Sequence, residues 1–374
     1  MDNIELVDYK VQTIQINYDK IYLLSDLHFG VRSNSIEWLD NQLNYFYNFY
    51  IPYLEKTKEN NSVLFILGDF FDNRQSLDIN VINKSIELIN DLAKILPVIF
   101  LVGNHDIYKK NDTDINSLIV FKQIHNVIIF EKPIIVTNDR NKILLLPWVG
   151  NVKKEELYAK HNKADYIFAH TDLMGFKLDN GLNINNGADL KNAAEAKRVF
   201  SGHIHKRQEN GDCVYLGSPY STKRSDIGNK KGFYIFKPNQ NTYEFIPNNF
   251  SPIFQKVLLE TLLELTLEQT SYILENNYTD IIVPNKYINL FNLTNFVSIL
   301  EGCKYKKLEA TGENSKLEDN LDNLEETNIK DIITLLEFNI DNLELQSEMK
   351  ENLKVLNRKY YEKATLSCVT EDIV

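Results

Sequence analysis

Lys20–Gly30 reads KIYLLSDLHFG, an apolar run of strand length that stops at Ser25 and gives way to Asp26, His28 and Gly30. No polar residue alternates within Ile21–Leu24, so the run reads as a strand buried on both faces. The pattern recurs downstream in VLFILGDFFD (Val63–Asp72), VIFLVGNHD (Val98–Asp106), YIFAH (Tyr166–His170) and RVFSGHIH (Arg198–His205). Further apolar runs lie at Ile143–Leu146, Val214–Leu216 and Phe233–Phe236. Helical spacing separates the early ones, in Ile36, Leu39, Leu43, Phe46 and Tyr50 and again in Ile82, Ile86, Ile89 and Leu92. The fold class is therefore α/β, alternating at first and mostly β after Tyr166. No internal repeat is visible.

Each recurring run ends in a residue able to bind a cation. Polar groups just past the C-terminal ends of neighbouring strands gather along one rim of a sheet, where α/β folds build their sites. The candidate metal ligands are Asp26, His28, Asp69, Asn104, His170, His203 and His205. The chain has 7 histidines, and only His125 and His161 lie outside these motifs; those two read as ordinary structural residues. Gly30, Gly68, Gly103 and Gly202 beside the candidates permit tight turns and close backbone approach.

Oxygen and imidazole donors without a thiolate favour manganese, iron or magnesium over structural zinc. Two divalent ions, most simply Mn2+, are expected if Asp69 bridges them. Ions about 3.5–4 Å apart can bind an attacking hydroxide and the phosphate oxygens together, which predicts phosphoester hydrolysis. His105, next to Asn104, is suited to protonate the leaving oxygen. Asp72 and Asp106 are candidates to orient a ligand or His105. Arg74, Lys206 and Arg207 are candidate phosphate contacts.

At 374 residues the chain is long for one domain, and 43% hydrophobic with 25% charged residues describes a globular protein. Its net charge of -11 argues at face value against a polyanionic partner. Split near Phe250, where Pro247–Pro252 reads as a junction, residues 1–250 carry 29 Lys+Arg against 30 Asp+Glu and residues 251–374 carry 12 against 22. The acidity belongs to the C-terminal third. After the junction, Ile281–Pro284, Leu293–Leu300 and Tyr305–Leu308 read as a strand, helix, strand unit. The acidic Glu309–Thr327 reads as a linker, followed by amphipathic helical spacing at Ile332, Leu335, Leu336 and at Met349, Leu353, Leu356, Tyr360. Three scattered cysteines, Cys213, Cys303 and Cys368, suggest a reducing compartment. No run reaches the ~18 apolar residues of a membrane span and the N-terminus has no apolar signal core, so a cytoplasmic protein is expected. The 45 asparagines suit an AT-rich genome, and a phage origin would place the protein in the host cytoplasm.

The ordered series DLHFG, GDFFD, GNHD, a single His and GHIH resembles the calcineurin-like metallophosphoesterase superfamily. AHTDLMG around His170, YLGSPYSTKRSD (Tyr215–Asp226) and the KGFYIF strand narrow the resemblance to SbcD-type DNA repair nucleases and phage recombination endonuclease subunits. It covers roughly residues 18–250. The resemblance implies a β-sandwich flanked by helices, with Asp26, His28, Asp69 and His205 on one ion and Asp69, Asn104, His170 and His203 on the other. It further implies manganese dependence, 3′ to 5′ degradation of DNA ends, single-strand nicking, a homodimer, and a coiled-coil ATPase partner of the SMC type within a heterotetramer. On this reading residues 1–250 are the nuclease domain, 251–308 a small α+β capping domain facing DNA, 309–327 the linker and 328–374 a helical hairpin for the ATPase. A metallophosphatase or small-molecule phosphodiesterase, and an inactive scaffold for the ATPase, are the competing readings.

Overall fold

Ile21 and Leu23 of the strand Lys20–Leu24 enter a core shared with Phe65, Ile99, Leu145, Phe168 and Phe200. Tyr22 and Leu24 point the other way, into a core with Leu64, Ile66, Leu88 and Phe100. Both faces of this strand are buried, which explains the unbroken apolar run. The computed structural model describes residues 9–74, 76–109, 112–283, 307–312, 350, 351, 354 and 355.

Two sheets face each other. One runs Thr242–Pro247, Gly232–Lys237, Lys20–Leu24, Ser62–Leu67, Val98–Leu101, Val127–Phe130 in spatial order. The other runs Thr13–Gln15, Ile134–Thr137, Lys142–Leu146, Tyr166–His170, Arg198–Gly202, Cys213–Tyr215, Gln208–Asn210. Helices Ile36–Tyr45, Ile51–Thr57 and Ile79–Ile95 cover the outer face of the first with Leu39, Tyr45, Leu54, Leu88 and Leu92. Helices Val152–Asn162 and Leu190–Ala194 cover the second, against Leu144, Ile167 and Val199. The architecture is the expected α/β sandwich flanked by helices. In the helix Ile79–Ile95, the buried stripe is Val81, Ser85, Leu88, Ile89 and Leu92. Ile82 and Ile86, which the spacing places in the core, are only half-buried. The helix starts where Asp78 accepts the Asn80 N–H at 2.7 Å.

Lys20–Leu24, Ser62–Leu67 and Val98–Leu101 pair in parallel, as do Lys142–Leu146, Tyr166–His170 and Arg198–Gly202. Their C-terminal ends therefore open on the same rim. That is where the chain carries Asp26, Asp69, Asn104, His170 and His203.

Residues Met1–Glu313 form one compact unit and Asn314–Val374 a second. Within the first, Phe254–Leu258, Tyr278–Val283 and Lys307–Gly312 make a parallel three-stranded sheet, with helices Leu259–Glu264 and Leu267–Asn276 between its first two strands. Two boundaries differ from expectation. The middle strand begins at Tyr278, not Ile281, and the last continues through Glu309–Gly312, inside the stretch read as linker. Glu309, Ala310 and Thr311 pair with Asp280, Ile281 and Ile282, so a backbone ladder on an apolar neighbour overrides acidic composition. The helix Leu267–Asn276 carries a start signal that the apolar spacing hid, since Thr266 and Gln269 cap each other reciprocally at 3.2 and 3.0 Å. The expected helix Leu293–Leu300, the linker beyond Gly312 and most of 328–374 lie outside the described residues; 350, 351, 354 and 355 are helical. No helix among the described residues is long and apolar enough to cross a membrane.

An aromatic stack joins this small sheet to the sandwich. Trp38 stacks on Tyr278 and Phe254 with ring centroids 5.0 and 5.9 Å away, and Arg32 lies over Trp38 at 5.0 Å. Arg224 holds Asp280 through two nitrogens at 3.1 and 2.9 Å. Truncating Trp38 to Ala is expected to cost about 3 kcal/mol, in line with emptying an aromatic core position. Urea unfolding checks this, and proteolysis should then cut first near Phe254–Tyr278; unchanged stability would mean that the stack contributes nothing to holding the sheet.

Candidate metal centre

Strand ends alone do not aim side chains inward. Asp26, His28, Asp69 and His203 all have left-handed backbones, with φ of 55, 48, 53 and 95°. Non-glycine residues adopt this conformation uncommonly, Asp and His more readily than most, and such backbones gather at functional sites. Here it is held by the loops after the first two strands, which bond to each other: Asp26 N to Gly68 O at 3.1 Å, His28 N to Asp69 O at 3.1 Å and Phe29 N to Phe70 O at 2.7 Å. Gly103 is needed at its position because a Cβ there would overlap the Asp69 carboxylate and backbone nitrogen.

Asp26, His28 and His205 bring ligand atoms within 4.8 Å of one another, and so do Asp69, His170 and His203. Asp69 Oδ2 lies 3.2 Å from His170 Nε2 and 4.0 Å from His28 Nε2, between the two groups. The Asn104 amide oxygen sits 2.9 Å from His170 Nε2 and 2.8 Å from His203 Nδ1. That orientation serves a cation; turned over, the amide nitrogen would donate to both histidines and its oxygen would accept from Arg74 Nη2 at 3.1 Å. Asp26 Oδ2 and His28 Nε2 are buried and have no hydrogen-bond partner among the described residues. Buried lone pairs of this kind normally find a partner, so the donor set fits divalent ions.

The electrostatics agree. Burial pushes the Asp26 carboxyl up. Burial also opposes the ionised form of Asp69, but His170 and His105 hold it well below the usual carboxylate range. Burial disfavours a charged His28, yet Asp72, Asp69 and Asp26 carry it up to about 9. His170 is likewise raised to about 9, by Asp69 and Asp26 against burial. Imidazoles drawn this far towards the cationic form mark a pocket of concentrated negative charge, which a divalent ion neutralises.

Residues 19–207 match the calcineurin-like phosphoesterase family, with every ligand candidate inside the match. The chain belongs to the calcineurin-like phosphoesterase family. It is similar to exonuclease subunit 1 of Enterobacteria phage T4, 29% identical over 236 residues that span 62% of this chain and 68% of that one. It is also similar to putative phosphoesterase 078R of Invertebrate iridescent virus 3, 30% identical over 213 residues, 53% of this chain and 56% of the relative. A third relative is putative phosphoesterase 244L of Invertebrate iridescent virus 6, 28% identical over 211 residues, 53% of this chain and 69% of that one. Divalent metals are the currency of this family, and the clustered donors of this chain suit them.

Around the candidate ligands, the remaining candidates take varied places. His105 donates its backbone N–H to Asp69 Oδ1 at 2.8 Å, and its Nδ1 meets the Asp72 carbonyl at 2.6 Å. Burial lowers its pKa. The Asp72 carboxylate meets His28 Nδ1 at 3.0 Å. Together His28, Asp72 and His105 form a further group of ligand atoms within 4.8 Å. Asp106 accepts four backbone N–H groups, from Asp69, Phe70, Phe71 and Gly103, at 2.9–3.2 Å. The Arg207 guanidinium is engaged by Glu209 at 2.9 Å, Tyr234 at 3.3 Å and the Phe245 ring at 4.5 Å. Those contacts compete with the phosphate role expected of it. Lys206 contributes its backbone N–H to Asp179 at 3.1 Å.

The YLGSPYSTKRSD segment braces the site. Lys231 Nζ is buried and bonds the His205 carbonyl, Ser218 Oγ and Asp226 Oδ1 at 2.8, 2.9 and 2.6 Å. Tyr220 donates to the Leu27 carbonyl at 2.7 Å, beside His28. Lys223 meets Asp179 at 2.8 Å and Arg224 meets Asp280. The basic residues of this segment are thus engaged within the protein. Two carboxylates escaped the sequence reading: Asp172 faces His203 Nε2 at 3.3 Å and Asp179 faces His205 Nδ1 at 3.4 Å. Asp172 sits two residues past His170 in a motif already in view; Asp179, on a loop without spacing, left no signal.

Proposed function

We propose that this chain is a nuclease subunit that hydrolyses DNA phosphodiesters with two divalent ions, most simply Mn2+, and trims DNA ends with a coiled-coil ATPase partner of the SMC type. The observation that carries the reading is the pair of converging donor sets, Asp26, His28, His205 and Asp69, His170, His203, with Asp69 between them. Likeness to an exonuclease subunit over 62% of the chain supports DNA as the substrate. The near-neutral balance of residues 1–250 leaves no charge barrier to it.

Asp26, His28, Asp69 and His205 would hold one ion and Asp69, Asn104, His170 and His203 the other. When bound, the pair supplies an acidified water and neutralises the phosphate oxygens. The chain's own residues position and exchange protons. His105 is the proposed proton donor to the leaving oxygen: its Nδ1 is held on the Asp72 carbonyl, so Nε2 is left for the substrate. Burial keeps that ring below its usual pKa, and an approaching phosphate anion raises it again. The proposal extends to 3′ to 5′ polarity, nicking of single strands, a homodimer, residues 251–308 as the DNA-facing cap and 328–374 as the ATPase-docking segment.

Linear duplex DNA incubated with the protein, with and without Mn2+, tests the reading alongside an aryl phosphomonoester. Metal-dependent loss of DNA ends is expected, reduced about 10²- to 10⁴-fold in His105→Ala, with Mn2+ binding retained. Rapid monoester turnover with DNA untouched would replace the nuclease with a phosphatase. Deleting residues 328–374 should abolish ATPase binding and spare hydrolysis; binding that persists would refute the docking assignment.

A further inference from the structure

Every imidazole in the ligand set turns one nitrogen towards the other donors and must place the second on something. His170 sets Nδ1 on the Leu67 carbonyl at 2.7 Å, and His28 sets Nδ1 on Asp72 at 3.0 Å. Both rings are buried, with side-chain exposures of 0 and 2%, so packing helps fix them. His203 and His205 are different. They sit on the turn that follows the strand Arg198–Gly202, at the mouth of the pocket, with side-chain exposures of 19 and 17%. His203 directs Nδ1 to the Asn104 oxygen at 2.8 Å and leaves Nε2 outward, 3.3 Å from Asp172. His205 brings Nδ1 to 3.4 Å from Asp179, where the nitrogen is buried and makes no hydrogen bond among the described residues, so the carboxylate acts on it by charge.

We infer that Asp172 and Asp179 are positioning residues, one for each ion of the pair, Asp172 fixing His203 and Asp179 fixing His205. A carboxylate behind an imidazole selects the tautomer whose inner nitrogen carries the lone pair and makes that nitrogen more basic. Both acids come from the loop after the strand Tyr166–His170, so one segment buttresses two ligands of different ions. The Asp172 segment is itself held: Tyr215 Oη donates to the Thr171 carbonyl at 2.8 Å and the Leu173 N–H reaches that hydroxyl at 2.6 Å. Asp179 also accepts from Lys206 N at 3.1 Å and Lys223 Nζ at 2.8 Å, and thus ties the main chain just past His205 as well as its ring. The inference rests on the two-ion reading and specifies which outer carboxylate serves which ion.

Mn2+ titration followed by electron paramagnetic resonance tests it, on the full chain and without any substrate. Wild type is expected to bind two ions. Asp172→Asn and Asp179→Asn keep shape and remove the charge, and each is expected to weaken one ion about 10- to 100-fold while sparing the other. Asp172→Asn should add little to His203→Gln but its full effect to His205→Gln, and Asp179→Asn the reverse. Wild type binding fewer than two ions would overturn the two-ion reading; wild type binding two, with both Asn variants binding two as tightly, would overturn this inference alone. Should Asp179→Asn fail to fold for want of its lysine contacts, Asp172→Asn decides alone, with thermal melts in chelator confirming an intact fold.

Discussion

Asp69→Asn is expected to lower metal-dependent hydrolysis by at least roughly 10³-fold, since losing about 4 kcal/mol of transition-state charge stabilisation amounts to that factor. In the proposed scheme this carboxylate is shared by both ions, so its loss weakens both at once. The fold should survive. Asn keeps an oxygen where Asp69 Oδ1 accepts the His105 N–H, and its new amino group faces His170 Nε2, which can accept once neutral. Removing the charge relieves repulsion with Asp26 but also gives up the attraction of His170 and His105 that holds Asp69 well below the usual carboxylate range. The metal-free variant is therefore expected to melt somewhat below the wild-type temperature yet still cooperatively, while the rise in melting temperature that Mn2+ gives wild type disappears. Calorimetry in chelator and in Mn2+, beside the DNA assay, separates the cases: a variant that retains both the Mn2+ shift and hydrolysis would falsify the bridging role.

Much of this architecture was legible because strands buried on both faces leave unbroken apolar runs, and because each run stops at a ligand-capable residue. Lys20–Leu24 followed by Asp26 and His28 shows both, and parallel pairing turns that linear order into a shared rim. What periodicity could not show was how the ligands turn inward. The left-handed backbones at Asp26, His28, Asp69 and His203 are held by bonds between loops distant in sequence, a conformation that Asp and His tolerate better than most residues but do not specify. The same limit hid Asp179, whose partners His205, Lys206 and Lys223 meet it only in the fold. The strand Lys307–Gly312 escaped in part because acidic composition says little about a segment whose backbone is captured by a neighbour.

Asp106→Asn is expected to destabilise the fold by about 4 kcal/mol although the two side chains are nearly the same shape. Each Asp106 oxygen accepts two backbone N–H groups, Oδ1 those of Phe70 and Phe71 and Oδ2 those of Asp69 and Gly103. Burial and the neighbouring Asp69 charge push its carboxyl up to about 6, so at pH 7.5 it is ionised and can serve all four donors. Asn can serve only two. Whichever way the amide turns, its amino group meets two N–H donors in a buried site, and each buried donor left unmade costs about 1–3 kcal/mol. Against a total stability of about 5–15 kcal/mol, the loss amounts to a fall in melting temperature on the order of 10 °C. The damage should also reach the pocket, because the four donors belong to the loops that place Asp69 and Asn104. Weakened Mn2+ binding should therefore accompany the lower melting temperature, whereas Asp69→Asn loses the ions without losing the fold. A melting temperature within 2 °C of wild type would mean that Asp106 is an ordinary turn residue and that the two loops hold their shape without it.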